Sequence, residues 1–144
     1  MIVLVDTTVW SLALRRRRSA LSAAETALVE EWTRLVQTGE AALAGPIRQE
    51  VLSGIRDAKA FAGLQEQLGN FRYLVIVPSD YDRAAAFFND CRAAGIAATP
   101  IDMLLCAIAS RHDAAIFTTD GDFALYAEHL PIRLHLPSRS PDVA

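Results

Sequence analysis

Five acids in this sequence occupy positions from which they can act together: Asp6, Glu50, Asp102, Asp120 and Asp122. Asp6 ends the apolar run at residues 2–5 and is followed by two hydroxyl residues, Thr7 and Thr8. Asp120 follows a second short apolar stretch at residues 115–117, and Asp122 comes two residues later. Glu50 and Asp102 fall early in segments of helical period. Carboxylates drawn together repel one another, and their pKa values rise unless a cation lies among them. An oxygen-only set without His or Cys favours a hard ion, Mg²⁺ or Mn²⁺, over zinc. Such a site suits phosphate esters: the ion polarises a phosphoryl oxygen and lowers the pKa of an attacking water.

Each acid also has an ordinary structural role open to it. Asp6 can cap a helix that starts near Val9. Asp102 lies three residues after Thr99, the spacing of a capping box, with Pro100 at the first helical position. Asp120 can cap the helix that carries Phe123 and Leu125, and Glu50 can be a solvated acid or pair with Arg48 or Arg56.

The elements that must position these acids alternate along the chain. Strands are expected at residues 2–5, 41–44, 73–77, 115–117 and 132–136. A short helix is expected at 9–14. A second begins at Ser22, which has capping-box spacing to Glu25, and ends at Gly39. Gly45-Pro46 opens a third, which carries Glu50 and ends near Gly54. Others are expected at 57–68, from Ser79 or Asp80 to Gly95, at 101–112, and at 121–129. This alternation predicts an α/β fold, a three-layer α/β/α sandwich around a parallel sheet. Right-handed crossovers place every strand's carboxyl end on one edge, where open α/β sheets bind ligands. One domain is expected over residues 1–136, with a flexible polar tail at 137–144.

Composition sets limits. The hydrophobic fraction is 52% and the mean hydropathy +0.21, yet no apolar run approaches bilayer-spanning length. The first residues lack the basic segment of a secretory signal, so a cytoplasmic protein is expected. The apolar excess allows for an additional buried face, such as a dimer surface. The formal charge of −3 argues against a general nucleic-acid binder. Lys59 is the sole lysine, so the basic residues are otherwise arginines, whose planar forks suit phosphate. Four of them form the run Arg15, Arg16, Arg17 and Arg18, expected in a solvated loop. Cys91 and Cys106 sit in apolar helical patterns and read as buried thiols. His112, His129 and His135 form no metal-ligating pattern, and phosphate-loop and serine-nucleophile motifs are missing.

Four blocks of the chain resemble the motifs of PIN-domain nucleases, especially the VapC-type toxins of bacterial toxin–antitoxin pairs. Asp6-Thr7-Thr8-Val9-Trp10 is similar to their opening motif, and Glu50-Val51-Leu52-Ser53-Gly54 to their second acidic motif. The stretch from Asp102 through Leu105, Cys106 and Ala107 to Ala109 resembles their D-x-x-I-A-A-x-A helix. Thr118-Thr119-Asp120-Gly121-Asp122-Phe123 matches T-x-D-x-D-F. The blocks run in the family's order from Asp6 to Phe123. Thr8 stands where Ser is frequent and keeps the hydroxyl, while Leu105 and Cys106 replace Ile and Ala.

The resemblance implies an α/β/α PIN fold and a Mg²⁺- or Mn²⁺-dependent endoribonuclease. It also implies a homodimer and inhibition by a small VapB-like antitoxin protein. It assigns Asp6, Glu50, Asp102 and Asp120 to the acidic site, with Asp122 as a further member. In that scheme Asp6, Asp102 and Asp120 hold the metal directly or through water, and Glu50 positions or deprotonates the attacking water. Thr8 and Thr118 then orient carboxylates or waters, and Arg15 to Arg18 are candidates for contact with the RNA backbone. The alternatives are a catalytically weak PIN-like binding module and an acid-pocket phosphatase. A phosphatase of the phosphoaspartate kind wants an acid two residues after its nucleophile, and Thr8 stands there.

Overall fold

The computed structural model describes residues 1–137, apart from the Arg18 side chain, and the tail expected at 137–144 lies outside the described residues except for Pro137. Five parallel strands pair in the order β3-β2-β1-β4-β5. They are β1 (Val3–Val5), β2 (Ala41–Leu43), β3 (Arg72–Tyr73), β4 (Ala115–Phe117) and β5 (Arg133–Leu134). Among the described residues seven helices flank the sheet: α1 (Thr7–Leu14), α2 (Ala23–Gln37), α3 (Gly45–Leu52), α4 (Ala58–Leu68), α5 (Pro78–Ala93), α6 (Pro100–Arg111) and α7 (Asp122–Ala127). A 3₁₀ turn, Arg18–Ala20, follows α1. Every residue of β1, β2 and β4 is buried, as a parallel sheet covered on both faces requires. This is the expected α/β/α architecture. Among the described residues no helix is long and apolar enough to cross a membrane.

Strand order places the site. The chain winds outward from β1 to β3, then returns to lay β4 against the other side of β1. Connections therefore leave β1 and β4 in opposite directions, and a crevice opens beyond their carboxyl ends.

Local sequence accounts for the elements around that crevice. α1 is short and depends on Trp10, whose indole N–H donates to Val5 O at 2.8 Å. The Trp10 ring meets Trp32 and Phe71 edge-on, with centroids 5.6 and 4.8 Å away. The Trp32 N–H is buried without a partner, and nothing in the structure explains it. α2 begins with both bonds of the expected capping box: Glu25 N–H to Ser22 Oγ at 3.1 Å, and Ser22 N–H to Glu25 Oε1 at 3.0 Å. α6 opens with Thr99 Oγ1 accepting from Asp102 N–H at 3.1 Å, followed by Pro100. Its stretch from Met103 to Ala109 is wholly buried. Cys91 and Cys106 are free and buried, as expected.

The first two strands are one residue shorter than their apolar runs, and two others are much shorter. The third was expected at 73–77, but only Arg72–Tyr73 pairs as strand. Leu74 N–H still donates to Leu43 O at 2.8 Å. At Val75 the carbonyl turns instead to Arg111 and His112, and the chain leaves the sheet. The fifth strand, expected at 132–136, narrows to Arg133–Leu134, although His135 N–H donates to Ile116 O at 2.7 Å. The cap of α5 also differs from the expected Ser79 or Asp80. Pro78 is the first helical residue, and Val77 is the backbone cap. Proline has no N–H to lose at that position, which suits it to start the helix.

Asp80 works from within the first turn. Its carboxylate accepts from Val77 N–H at 2.9 Å and from Arg111 Nε at 2.8 Å, and its side chain is only 2% exposed. The pair ties the start of α5 to the end of α6, so the two helices run antiparallel. The Arg111 hydrogen bond and the Val77 N–H outweigh burial and hold the Asp80 carboxyl below its usual range. Asp80→Ala is expected to lower the unfolding free energy by about 2–3 kcal/mol at pH 7, measured by urea denaturation. Because the folded-state pKa is depressed, this contribution is complete above the unfolded value of about 4. It fades as pH falls below that value, and the variant and wild type should converge there.

Candidate active site

The last rung between β1 and β4 decides where the first acid sits. Val5 lies opposite Phe117, and Asp6 N–H donates to Phe117 O at 2.8 Å. Asp6 and the segment from Thr118 to Asp120 therefore leave neighbouring strands side by side. Thr118 Oγ1 donates to Asp6 Oδ2 at 2.8 Å and accepts from Asp120 N–H at 3.0 Å. Thr8 Oγ1 lies 3.4 Å from the same Asp6 oxygen and accepts from Thr119 N–H at 3.2 Å. Both expected hydroxyls thus stitch the β1 loop to the β4 loop.

The helices bring the other two acids. α3 carries Glu50, whose Oε2 accepts from Thr7 Oγ1 at 2.9 Å. α6 carries Asp102 in its first turn, where Oδ2 accepts from the Tyr126 hydroxyl at 2.9 Å. Asp6, Glu50, Asp102 and Asp120 all line one cleft of about 570 Å³. Asp122 is not among the residues lining it; its N–H donates to Asp120 Oδ1 at 2.9 Å.

These contacts also settle the ordinary structural roles. Asp6 is the backbone cap of α1, but its side chain makes no capping hydrogen bond. Thr99 supplies the threonine half of a capping box, while the Asp102 carboxylate turns to Tyr126. Asp120 does support the start of α7 through Asp122 N–H.

Residues 3–129 match the family model of the PIN domain. The chain belongs to the PIN-domain family. Among curated relatives, ribonuclease VapC11 of Mycobacterium tuberculosis is 29% identical over 127 residues, covering 87% of this chain and 91% of that protein. Two solved structures share the fold at low identity. VapBC2 from Rickettsia felis, bound to a DNA fragment from their promoter, superposes with a TM-score of 0.72 at 14% identity. FitAcB from Neisseria gonorrhoeae does so with a TM-score of 0.70 at 18% identity. In each, the likeness covers 94% of this chain and 98% of the other.

The electrostatics of this PIN-domain cleft are those of an anion cluster. Burial pushes the Asp6 carboxyl above its usual range, against the opposing Thr118 hydrogen bond, and the charges of Glu50 and Asp120 add to the rise. Burial likewise raises Asp102, against the hydrogen bond from Tyr126, and Asp120 and Asp6 push it further. Asp6 and Asp102 are thus harder to ionise because of burial and of the neighbouring acids, a penalty that a bound cation relieves. The donor set is all oxygen and suits a hard divalent ion. Among the described residues no three His, Cys, Asp or Glu side chains are gathered tightly enough to enclose an ion unaided.

Two supporting side chains escape sequence reasoning. Thr7 holds Glu50, whereas the motif resemblance points to Thr8 of the adjacent pair. Tyr126 holds Asp102 from α7, a helix of six residues, too short for periodicity to show which face turns inward. The four arginines separate. Arg16 lines the acidic cleft, Arg15 lines a different groove beside α4, and Arg17 is exposed. The role considered for the Arg18 side chain lies outside the described residues.

A carboxyl whose folded-state pKa is raised binds its proton more tightly in the folded chain than in the unfolded one. In the absence of metal, stability should therefore fall as pH rises from about 4 through the raised values, then stay level. The full cost is present once the pH is above the raised values. Asp6→Asn is expected to melt several degrees above the wild type in chelator, by differential scanning fluorimetry, and Mn²⁺ should raise the wild type more than the variant. A variant that melts lower in chelator would contradict the charge-cluster account.

Proposed function

We propose that this PIN domain is a metal-dependent endoribonuclease, the toxin of a toxin–antitoxin pair held in check by a small VapB-like antitoxin protein. The observation that carries the reading is the convergence of Asp6, Glu50, Asp102 and Asp120 on one cleft. The similarity to a protein named ribonuclease VapC11 supports RNA as substrate. Fold neighbours described as VapBC2 and as a toxin–antitoxin complex from Klebsiella pneumoniae support the pairing. A homodimer in the cytoplasm is part of the same reading.

Mg²⁺ or Mn²⁺, when bound, supplies Lewis-acid polarisation of the scissile phosphate and a more acidic water. In this reading Asp6, Asp102 and Asp120 hold the ion, in part through water. Thr118, Thr8 and Tyr126 fix the orientation of the first two carboxylates. Glu50 is exposed, and Thr7 holds only its Oε2, which leaves Oε1 to orient the attacking water and take its proton. The water's oxygen then forms a bond to phosphorus as the P–O bond to the leaving nucleotide breaks. Asp122 supports the site through the backbone contact of its N–H with Asp120.

Asp6→Asn should cut the rate of RNA cleavage in Mg²⁺ or Mn²⁺ on the order of a hundredfold or more, because loss of a ligand exceeds the 10–100-fold effect of an outer partner. Chelator should silence the wild type. Expressed alone, the chain should arrest growth, and co-expression of an adjacent small reading frame should restore it. Cleavage that persists in chelator, or in Asp6→Asn, would overturn the metal-dependent reading. RNA binding without any cleavage would favour a binding module.

A further inference from the structure

A phosphodiester chain entering this cleft meets carboxylates on several walls, and a divalent ion neutralises charge at only one point. Flanking phosphates need a cation of their own. Among the described residues lining the cleft there is one, Arg16. Its side chain is 59% exposed and lies with Nη1 3.5 Å from Glu25 Oε2. Glu25 lines the same cleft and is itself held in place. Its Oε1 accepts from Ser22 N–H at 3.0 Å in the capping box of α2, so Oε2 is the oxygen left to face Arg16.

We propose that Arg16 is the phosphate-binding residue at the rim of the cleft, and that Glu25 occupies its guanidinium until RNA displaces it. The proposal rests on the ribonuclease reading and extends it to how the substrate is seated. A planar guanidinium accepts a carboxylate or a phosphate through the same pair of N–H groups. An exposed ion pair contributes little to stability, so the exchange of one anion for the other costs little. Glu25 is a built-in competitor whose position is set by a helix cap. Removing its charge while keeping the cap should strengthen RNA binding, an effect that a purely structural Glu25 would not produce. Glutamine serves at this position of a capping box, so Glu25→Gln is the appropriate change. Arg17 is exposed and absent from the cleft lining, which makes it a control for general charge loss.

The test is fluorescence anisotropy of a labelled, randomised 20-nucleotide single-stranded RNA with the full chain in Mg²⁺, in the Asp6→Asn background so that the RNA stays intact. Arg16→Ala should weaken binding about tenfold and reduce the salt slope by about one. Arg16→Lys should recover part of the loss. Glu25→Gln should tighten binding about twofold to threefold if the rim pair competes with phosphate. Arg17→Ala should change affinity less than Arg16→Ala. An Arg16→Ala variant equal to its parent, an Arg17→Ala loss as large, a Glu25→Gln loss, or no binding by the parent would each overturn the proposal. Cleavage of the same RNA pool by the unmutated protein separates the two levels. Cleavage with an unaffected Arg16→Ala overturns this inference alone, whereas no cleavage counts against the ribonuclease reading as well.

Discussion

The parallel pairing of β1 with β4 is the interaction on which the cleft depends. The two strands are three residues each, and their register sets Val5 against Phe117 and brings Asp6 N–H to the Phe117 carbonyl. A slip of one residue would turn the Asp6 side chain to the opposite face of the sheet and break its contact with Thr118. What prevents the slip is packing. Leu4, Val5, Ile116 and Phe117 are buried on both faces of the sheet, each contributing about 1.5–3 kcal/mol by its removal from water. Trp10 fastens α1 directly above, with its indole bonded to Val5 O. The apolar core thus fixes the place of a polar group that the core itself disfavours.

That disfavour is the second constraint. Asp6 is 8% exposed and shares its cleft with Glu50, Asp102 and Asp120, so ionising it costs free energy on two counts. Hydroxyl donors reduce the cost without removing it. Thr118 and Thr8 serve Asp6, Thr7 serves Glu50, and Tyr126 serves Asp102, each through one carboxylate oxygen, so the other oxygen is not taken by these donors. Side chains held in this way lose little freedom when an ion arrives, which is how supporting hydrogen bonds tune a metal site. Elsewhere the protein neutralises its buried acids itself, Asp80 with Arg111 and Glu31 with Arg34. Among the described residues no basic side chain pairs with Asp6, and this difference is the electrostatic ground for proposing a cation in the cleft.

Much of this was legible in the sequence because the signals were local. Apolar runs ending in Asp6 and before Asp120 gave two central strands, and Ser22, Thr99, Pro46 and Pro100 marked helix starts that the structure bears out. Alternation of strand and helix was enough to bring four acids to one edge. The rest depends on contacts between distant residues. The third strand ends early because Arg111, far along the chain, takes the Val75 carbonyl. No local pattern marks Tyr126 as the partner of Asp102, or distinguishes Thr7 from Thr8. Whether Asp6 caps a helix or faces the cleft is a matter of side-chain direction, which only the folded chain decides. Four adjacent arginines look equivalent in sequence, yet the turn after α1 directs Arg16 toward the acids and Arg15 toward α4.

The claim at the centre of this account is that the cleft beyond β1 and β4 is built around a hard divalent cation. Crystals grown with Mn²⁺ and measured for its anomalous scattering test that claim most directly. The account predicts an anomalous peak inside the cleft within coordination distance, direct or through one water, of Asp6, Asp102 and Asp120, and its loss in Asp102→Asn crystals. A cleft with no peak at saturating Mn²⁺, or a peak that persists unchanged in that variant, would contradict it.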